Sequence, residues 1–391
     1  MAYRKEALES RAFQELLHAY EHPDEVLLSY RDRGVPLVWT LGIDVPEEII
    51  IAADMMPAKV MGCQDGSMPY ADKFLEFSFG PVWRGIFEKI MRLSDAYQME
   101  YLACGATSDM NYKIYNYVVE MKRQGYMKHL PDTYYVDLEL GHRDSRAQEH
   151  NDDIIRAFLR KMEDWCGRKL ERADLLRGAQ LCNVYRAALR EFDAVRTGAE
   201  SRVTGSEALA VIGGSMFYDK EKAARLVREV AQDAAGWPVV PGARTYFTGC
   251  FQETPEVYEM IEAAGGNVIF EDHEMGSRYF DRDVDLTIDP VFGIVDRYQM
   301  RIPSGERSVP SERAALAERL ASELELANFV VYMNVKDECW IWDYPKQRRV
   351  LEPLGVRSMI VERQEYPIRE KEALQAAFFR FYAKEENGNV G

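Results

Sequence analysis

The stretch that decides the fold is residues 36–61, PLVWTLGIDVPEEIIIAADMMPAKVM. An apolar run at 36–41 is followed by a helical pattern at 46–54 and by a short extended segment at 59–61. Short apolar runs bounded by turn residues are typical of buried strands. Strands that alternate with helices indicate a parallel sheet with helices on both faces.

The same alternation continues on the C-terminal side of this stretch and returns in the last third of the chain. Outside residues 36–61, the pattern predicts strands at 99–103, 134–138, 243–248, 267–270, 329–333 and 358–362, and helices at 82–93, 110–124, 255–264 and 345–354. Residues 143–235 instead show apolar stripes at helical spacing almost throughout. We therefore predict an α/β fold of two doubly wound parallel-sheet domains joined by a helical segment.

This pattern divides the chain into four parts. Residues 1–33 read as a helical arm of two amphipathic helices, because Leu8, Phe13 and Leu16 recur at helical spacing. We expect a first α/β domain at 34–142, a helical linker or lid at 143–235 and a second α/β domain at 236–391.

Composition excludes several classes of protein. The 391 residues include 49 basic and 65 acidic side chains, which give a net charge of −16, and 12% are aromatic. An aromatic-rich chain of this length folds, and its negative field repels nucleic acid and anionic membranes. Apolar runs stay shorter than the ~20 residues of a membrane span, and the first residues lack a secretion signal's apolar core. We expect a cytoplasmic protein without a nucleic-acid or membrane partner.

The six cysteines fall into two groups. They contain no Cys-x-x-Cys pair and are too sparse for a disulfide framework. Cys166 and Cys182 lie on apolar helical stripes and are expected in the core. The other four follow predicted strands, where ligands of parallel sheets bind; they are Cys63, Cys104, Cys250 and Cys339. Each has burial as its alternative role, but thiolates from separate loops are also what an iron-sulfur cluster needs.

Two loops carry further candidate chemistry, whereas glycine fingerprints for nucleotides are absent. His273 lies among carboxylates directly after a predicted strand, which suits proton transfer, although a solvated acidic loop is an alternative. The segment CWIWDYP at 339–345 concentrates aromatic side chains beside a thiol. Such a loop forms either the wall of a water-poor pocket or a hydrophobic plug.

With these residues in view, the chain resembles the 2-hydroxyacyl-CoA dehydratase and benzoyl-CoA reductase family over most of its length. The resemblance is carried by the order and spacing of segments at 42–53, 71–75, 108–117, 244–249, 265–280, 342–345 and 366–367. Within the family, the segment at 342–345, followed by Gly355-Val356 and by 364–366, looks most like a benzoyl-CoA reductase subunit.

The resemblance implies a heterodimer of two related chains, in which cysteines from separate loops hold a [4Fe-4S] cluster beside an acyl-CoA thioester. A separate ATP-hydrolysing iron-sulfur activator protein would supply the electrons. Where the family has Cys-Pro and Cys-Asp, this chain has Gly80-Pro81 and Ser108-Asp109, and Cys339 matches a ligand position. We therefore expect Cys63, Cys104 and Cys339 as cluster ligands and His273 as the catalytic residue.

The expected function is that of a subunit in a complex that reduces an aromatic or unsaturated acyl-CoA with low-potential electrons. Two alternatives stay open. One is a 2-hydroxyacyl-CoA dehydratase subunit, in which the electron is recycled. The other is a cluster-free subunit that shapes the substrate channel, which the missing family cysteines favour.

Overall fold

The structure is a computed structural model that describes residues 3–63, 66–303, 305–337 and 339–383. Within these residues it contains two four-stranded sheets whose strands are all parallel. The first sheet has the order β2-β1-β3-β4, and the second has the order β6-β5-β7-β8. The strands are β1 Leu37–Leu41, β2 Met56–Lys59, β3 Tyr101–Gly105, β4 Asp132–Val136, β5 Ala243–Gly249, β6 Gly266–Glu271, β7 Asn328–Asn334 and β8 Arg357–Gln364. The predicted α/β class with two doubly wound parallel sheets is confirmed.

Strand β2 begins three residues before the predicted segment 59–61 and overlaps it at Lys59. It includes Pro57, which pairs with Val38 of β1. Proline has no backbone N–H and interrupts a central strand, but an edge strand tolerates it. Because β2 is the edge of its sheet, Pro57 is accommodated and the strand begins earlier than the sequence pattern suggests.

Helices separate the strands and fill the middle of the chain. They are α1 Lys5–Glu9, α2 Arg11–Glu21, α3 Pro23–Asp32, α4 Glu47–Ala52, α5 Pro69–Phe74, α6 Pro81–Tyr97, α7 Asp109–Gln124, α8 Ser145–Cys166, α9 Arg172–Thr197, α10 Gly205–Ser215, α11 Lys220–Ala234, α12 Glu256–Ala263, α13 Pro290–Gln299, α14 Pro310–Glu323, α15 Tyr344–Leu351 and α16 Lys371–Tyr382. Each described helix is too short or too polar to cross a lipid bilayer.

Residues 3–32 contain three helices where the sequence predicts two. The Ser10 side chain accepts a hydrogen bond from the backbone of Phe13 and caps α2, and Pro23 opens α3. Helix α2 packs on the wholly buried helix α10. A Cβ at Gly214 would lie 2.0 Å from the Leu16 carbonyl oxygen, so only glycine permits this approach. The domain boundaries after residues 33, 142 and 235 fall in loops and stay predictions.

Buried ion pairs join the two sheet-bearing halves. Asp44 follows β1 and is 0% exposed, and Arg278 and Arg301 of the second half lie 3.2 and 2.7 Å from its carboxylate. Burial raises the pKa of Asp44, but the two guanidinium groups outweigh burial and hold that pKa below its ordinary value. Glu48 of α4 is likewise buried and contacts Arg186 and the Tyr298 hydroxyl. The two halves are therefore held in one orientation.

We expect Asp44→Ala to lower the free energy of unfolding by about 3–5 kcal/mol, because two buried guanidinium groups lose their counter-charge. Urea unfolding followed by circular dichroism measures this loss. Asp153→Ala removes an exposed carboxylate on α8 and serves as the control, with a change within about 0.5 kcal/mol. Equal stabilities of the two variants would contradict the role of this ion pair.

Candidate functional site

A small cavity lies where the carboxyl ends of the two sheets meet. The first half contributes Trp83 and Thr107, and the second contributes loops that follow β5, β6 and β7. Its volume is about 40 Å³, and a water molecule needs roughly 10–15 Å³ on this scale. The cavity therefore has room for a few waters or one ion.

The cavity lies at the switch points of the fold. In each sheet the strand order reverses, between β1 and β3 in the first and between β5 and β7 in the second. Ligand sites of open parallel sheets form outside the strand ends at such points. Cys250 directly follows β5, Asn334 ends β7 and Asp337 comes three residues later.

Two carboxylates that line this cavity, those of Glu306 and Asp337, lie beside the thiol of Cys339. One ligand-type atom each of Glu306, Asp337 and Cys339 lies within 4.8 Å of the others, and the Cys339 sulfur is 4.0 Å from Asp337 Oδ1. Desolvation and the charge of Asp337 raise the pKa of Glu306, although a hydrogen bond from Ser108 lowers it. Desolvation and the two carboxylates raise the pKa of the Cys339 thiol. Burial and their mutual proximity therefore disfavour ionisation of these groups.

Cys250 and Asn334 extend this acidic group. The Cys250 thiol donates to Asp337 Oδ2, with the sulfur 3.2 Å away, and accepts the backbone N–H of Asn334. Desolvation raises the pKa of Asp337, and the hydrogen bond from Cys250 partly opposes this shift. The Asn334 side chain is 2% exposed, and its Oδ1 has no hydrogen-bond partner. An unsatisfied buried carbonyl oxygen is costly unless a ligand meets it.

The structure does not bring Cys63, Cys104 and Cys339 together. Cys104 lies within β3 rather than beyond it, is 0% exposed and has its pKa raised by burial. Cys63 lies beyond β2, where its backbone N–H bonds the Gly85 carbonyl. Among the described residues, Glu306, Asp337 and Cys339 are the one group of three potential metal ligands. Joint ligation by the three cysteines stays a prediction that this arrangement does not favour.

The two cysteines expected in the core, Cys166 and Cys182, lie on helices. Cys182 is buried on α9, as expected, and Cys166 is half-buried at the end of α8. No disulfide joins the six cysteines, all of which belong to the described residues.

His273 lines the cavity but has protein partners at both ring nitrogens. Nδ1 accepts the backbone N–H of Met275, so the neutral ring donates from Nε2 to the Tyr258 oxygen, 2.6 Å away. Burial, together with the positive charges of Arg196 and Lys59, lowers the pKa of His273 to about 3. The imidazole is 4% exposed rather than part of a solvated loop. Its catalytic role stays a prediction.

The three positions where the resemblance places cysteines, residues 80, 108 and 339, each lie near the acidic group or the chain that leads to it. A Cβ at Gly80 would lie 3.2 Å from the Val335 carbonyl oxygen, and the Ser108 hydroxyl donates to Glu306, which neighbours Cys339. A [4Fe-4S] cluster takes four thiolates. The side chains here supply Cys339 and the nearby Cys250 beside two carboxylates, so this donor set does not fit such a cluster.

Sequence reasoning missed Glu306, Asp337 and Asn334. Asp337 and Asn334 follow the predicted strand 329–333, so the strand-end criterion that selected the cysteines also applies to them. Glu306 lies in an irregular stretch between α13 and α14 and carries no local signal. Only the folded chain brings it to the cavity.

Comparison with known proteins agrees with the resemblance. A family model described as "2-hydroxyglutaryl-CoA dehydratase, D-component" matches residues 43–378. The beta subunit of lactoyl-CoA dehydratase from Anaerotignum propionicum is 23% identical over 87% of this chain and 90% of its own length. The beta subunit of (R)-phenyllactyl-CoA dehydratase from Clostridium sporogenes is 17% identical over 90% and 92%. YjiM of Escherichia coli (strain K12), provisionally named a dehydratase subunit, is 26% identical over 70% and 71%.

We expect His273 to make stability fall as the pH drops from about 6.5 towards 3. Its pKa in the folded chain is about 3, below the ordinary 6.5, so the unfolded chain binds a proton that the folded chain does not. Between pH 7 and pH 5 this difference in proton binding lowers the free energy of unfolding by about 2 kcal/mol. Urea unfolding of the natural chain and of His273→Gln at both pH values measures it.

The variant His273→Gln should show a smaller loss on acidification than the natural chain. His142→Gln removes an exposed imidazole and should retain the full loss. Identical pH slopes in all three proteins would show that His273 titrates normally.

Proposed function

The chain belongs to the 2-hydroxyglutaryl-CoA dehydratase D-component family, and from this membership we propose that it is one subunit of an enzyme complex acting on an acyl-CoA thioester. In this proposal a related second chain forms a heterodimer with it and carries the [4Fe-4S] cluster. An ATP-hydrolysing activator supplies the electron to that cluster. This chain completes and closes the substrate site.

One observation above all supports the proposal that the second chain, and not this one, carries the cluster. The positions of the family cysteines lie beside residues that line or adjoin one cavity, yet they hold Gly80, Ser108 and Cys339. The family architecture is therefore retained while most of its thiolates are absent. A subunit of this kind depends on its partner for low-potential electron transfer, because a [4Fe-4S] cluster is held by cysteine thiolates.

The size of the cavity supports a thioester site shared between subunits. About 40 Å³ accommodates neither an acyl chain nor the pantetheine arm of coenzyme A, since ligand pockets are typically about 300–1,000 Å³. The acyl-CoA is therefore proposed to lie between the two chains, against the mouth of the cavity.

Exposed aromatic side chains at that mouth suit the second subunit. Trp342 is 79% exposed three residues after Cys339, and Phe77 is 85% exposed beside Lys336, which neighbours Asp337. Large exposed aromatic residues are enriched in protein–protein interfaces and often carry much of the binding energy.

Dehydration of a 2-hydroxyacyl-CoA is the reaction we favour, because the curated relatives are named as dehydratase subunits. Reduction of an aromatic or unsaturated acyl-CoA of the benzoyl-CoA reductase type is the second candidate. It is favoured by the segments at 342–345 and 364–366, which resemble that branch of the family. In a dehydratase the electron returns after each turnover, whereas in a reductase it is consumed.

The location of the cluster is tested by anaerobic co-expression with the second family chain of the same organism. We expect iron and acid-labile sulfide in the complex, neither sulfide nor a cluster signal in the isolated chain, and unchanged sulfide in the complex containing Cys339→Ser. Sulfide analysis measures the acid-labile sulfide of each sample, and electron paramagnetic resonance detects the cluster signal. Sulfide in the isolated chain that disappears with Cys339→Ser would place a cluster here and overturn the proposal.

The reaction type is tested by counting electrons against product in the activated complex. Many turnovers of a 2-hydroxyacyl-CoA per electron supplied are expected of a dehydratase. Stoichiometric consumption of reductant with an unsaturated acyl-CoA would establish the reductase instead.

For the aromatic contact, we expect Trp342→Ala to weaken association with the second chain by about 2 kcal/mol, or roughly 30-fold, because an exposed tryptophan loses its buried contact area. Isothermal titration calorimetry of the purified subunits measures the change. Phe379→Ala alters an exposed aromatic side chain on α16 and is the matched control. Equal affinity of both variants would remove Trp342 from the interface.

A further inference from the structure

The acidic group at the cavity has no positive partner of its own within the described residues. The basic side chains around it are committed to other carboxylates: Arg278 to Asp44, Lys59 to Glu274, Arg307 to Asp109, and Arg313 to Asp272 and Asp343. Two carboxylates and a thiol that crowd together in a poorly solvated place repel each other once ionised. A cation between them would relieve this repulsion.

A second observation at the same place is independent of these acidic groups. Asn334 lines the same cavity as Glu306 and Asp337, and its buried Oδ1 has no hydrogen-bond partner. The Asn334 backbone N–H and the Cys250 thiol hold this corner of the cavity in place. The unsatisfied oxygen is a neutral ligand atom of the kind that metal sites use beside carboxylates.

The donor set also indicates which ion would bind. Magnesium and calcium select oxygen ligands only, whereas Cys339 adds a sulfur that borderline and softer ions prefer. Zinc binds cysteine sulfur and carboxylate oxygen together, and sites with three protein ligands keep a fourth position open. The cavity of about 40 Å³ is large enough for an ion with a bound water.

From these observations we propose that Glu306, Asp337 and Cys339 bind one divalent transition-metal ion, of which Zn²⁺ is representative, with Asn334 Oδ1 or a water as a further ligand. The site occupies the position where the family resemblance places a cluster. The proposal does not rest on the reaction of the complex or on the identity of the partner subunit.

The test uses the full chain after treatment with a chelator. Equilibrium dialysis against Zn²⁺ followed by elemental analysis should show one ion per chain, and Mg²⁺ in excess should not displace it. Binding of Co²⁺ should produce the near-ultraviolet absorption of a cobalt–thiolate bond. Cys339→Ser should abolish that absorption, and Cys339→Ser and Glu306→Gln should each weaken Zn²⁺ binding by more than about 100-fold, beyond the effect of losing an outer-shell group.

Cys166→Ser is the matched control, because it removes a half-buried thiol at the end of α8 that bonds only nearby backbone carbonyls. It should retain full Zn²⁺ binding and the cobalt absorption. Thermal unfolding without metal checks the fold of each variant. Glu306→Gln should be at least as stable as the natural chain, because it removes one of two like charges, so its loss of binding does not reflect misfolding.

Three results would overturn the proposal. The first is that less than a tenth of a Zn²⁺ ion is bound per chain. The carboxylates would then be neutralised by protons and not by a metal ion. The second is Zn²⁺ binding that Cys339→Ser and Glu306→Gln leave unchanged. The third is equal affinity for Mg²⁺, which would exclude a role for the sulfur. None of these depends on acid-labile sulfide, so this proposal and the location of the cluster fail or succeed separately.

Discussion

The contact on which the structure depends is the set of buried ion pairs between the two halves. Asp44, which follows the first strand, contacts Arg278 and Arg301 of the second half. Glu48 accepts a hydrogen bond from Tyr298 of the second half and pairs with Arg186 of the helical segment. A buried pair of this kind adds little net stability, but breaking one partner is expensive. Its main effect is therefore to allow one relative orientation of the sheets, with their carboxyl ends facing each other.

That orientation creates the chemistry of the cavity. Cys250, Glu306 and Asp337 come from three separate loops and meet because the strand ends that carry or neighbour them point to one place. Water is largely excluded there, so burial raises the pKa of both carboxyl groups and of the thiol. The same low solvation lowers the pKa of His273 and keeps its ring neutral. The cavity thus favours neutral acids or a bound cation.

The fold agrees with what the family resemblance implies, whereas the donor set does not. The two parallel sheets have the same strand order as each other, and the loops that follow their strands meet between them. At the positions where the resemblance places cysteines, Gly80 and Ser108 offer no thiolate, and Glu306 and Asp337 fill the space beside Cys339.

The sequence by itself determined the α/β class and the order of strands and helices, because buried strands and amphipathic helices leave periodic patterns within short windows. It also carried the likeness to the dehydratase family, through the order and spacing of segments such as 42–53 and 342–345. It predicted strand β2 at 59–61 rather than at Met56–Lys59, and Pro57 is accommodated because β2 is an edge strand. Only the tertiary structure decided that Cys104 is core, that His273 is held neutral, and that Glu306 joins Asp337 and Cys339. These facts depend on contacts between residues far apart in the chain, and no local pattern records which side chains will share a cavity.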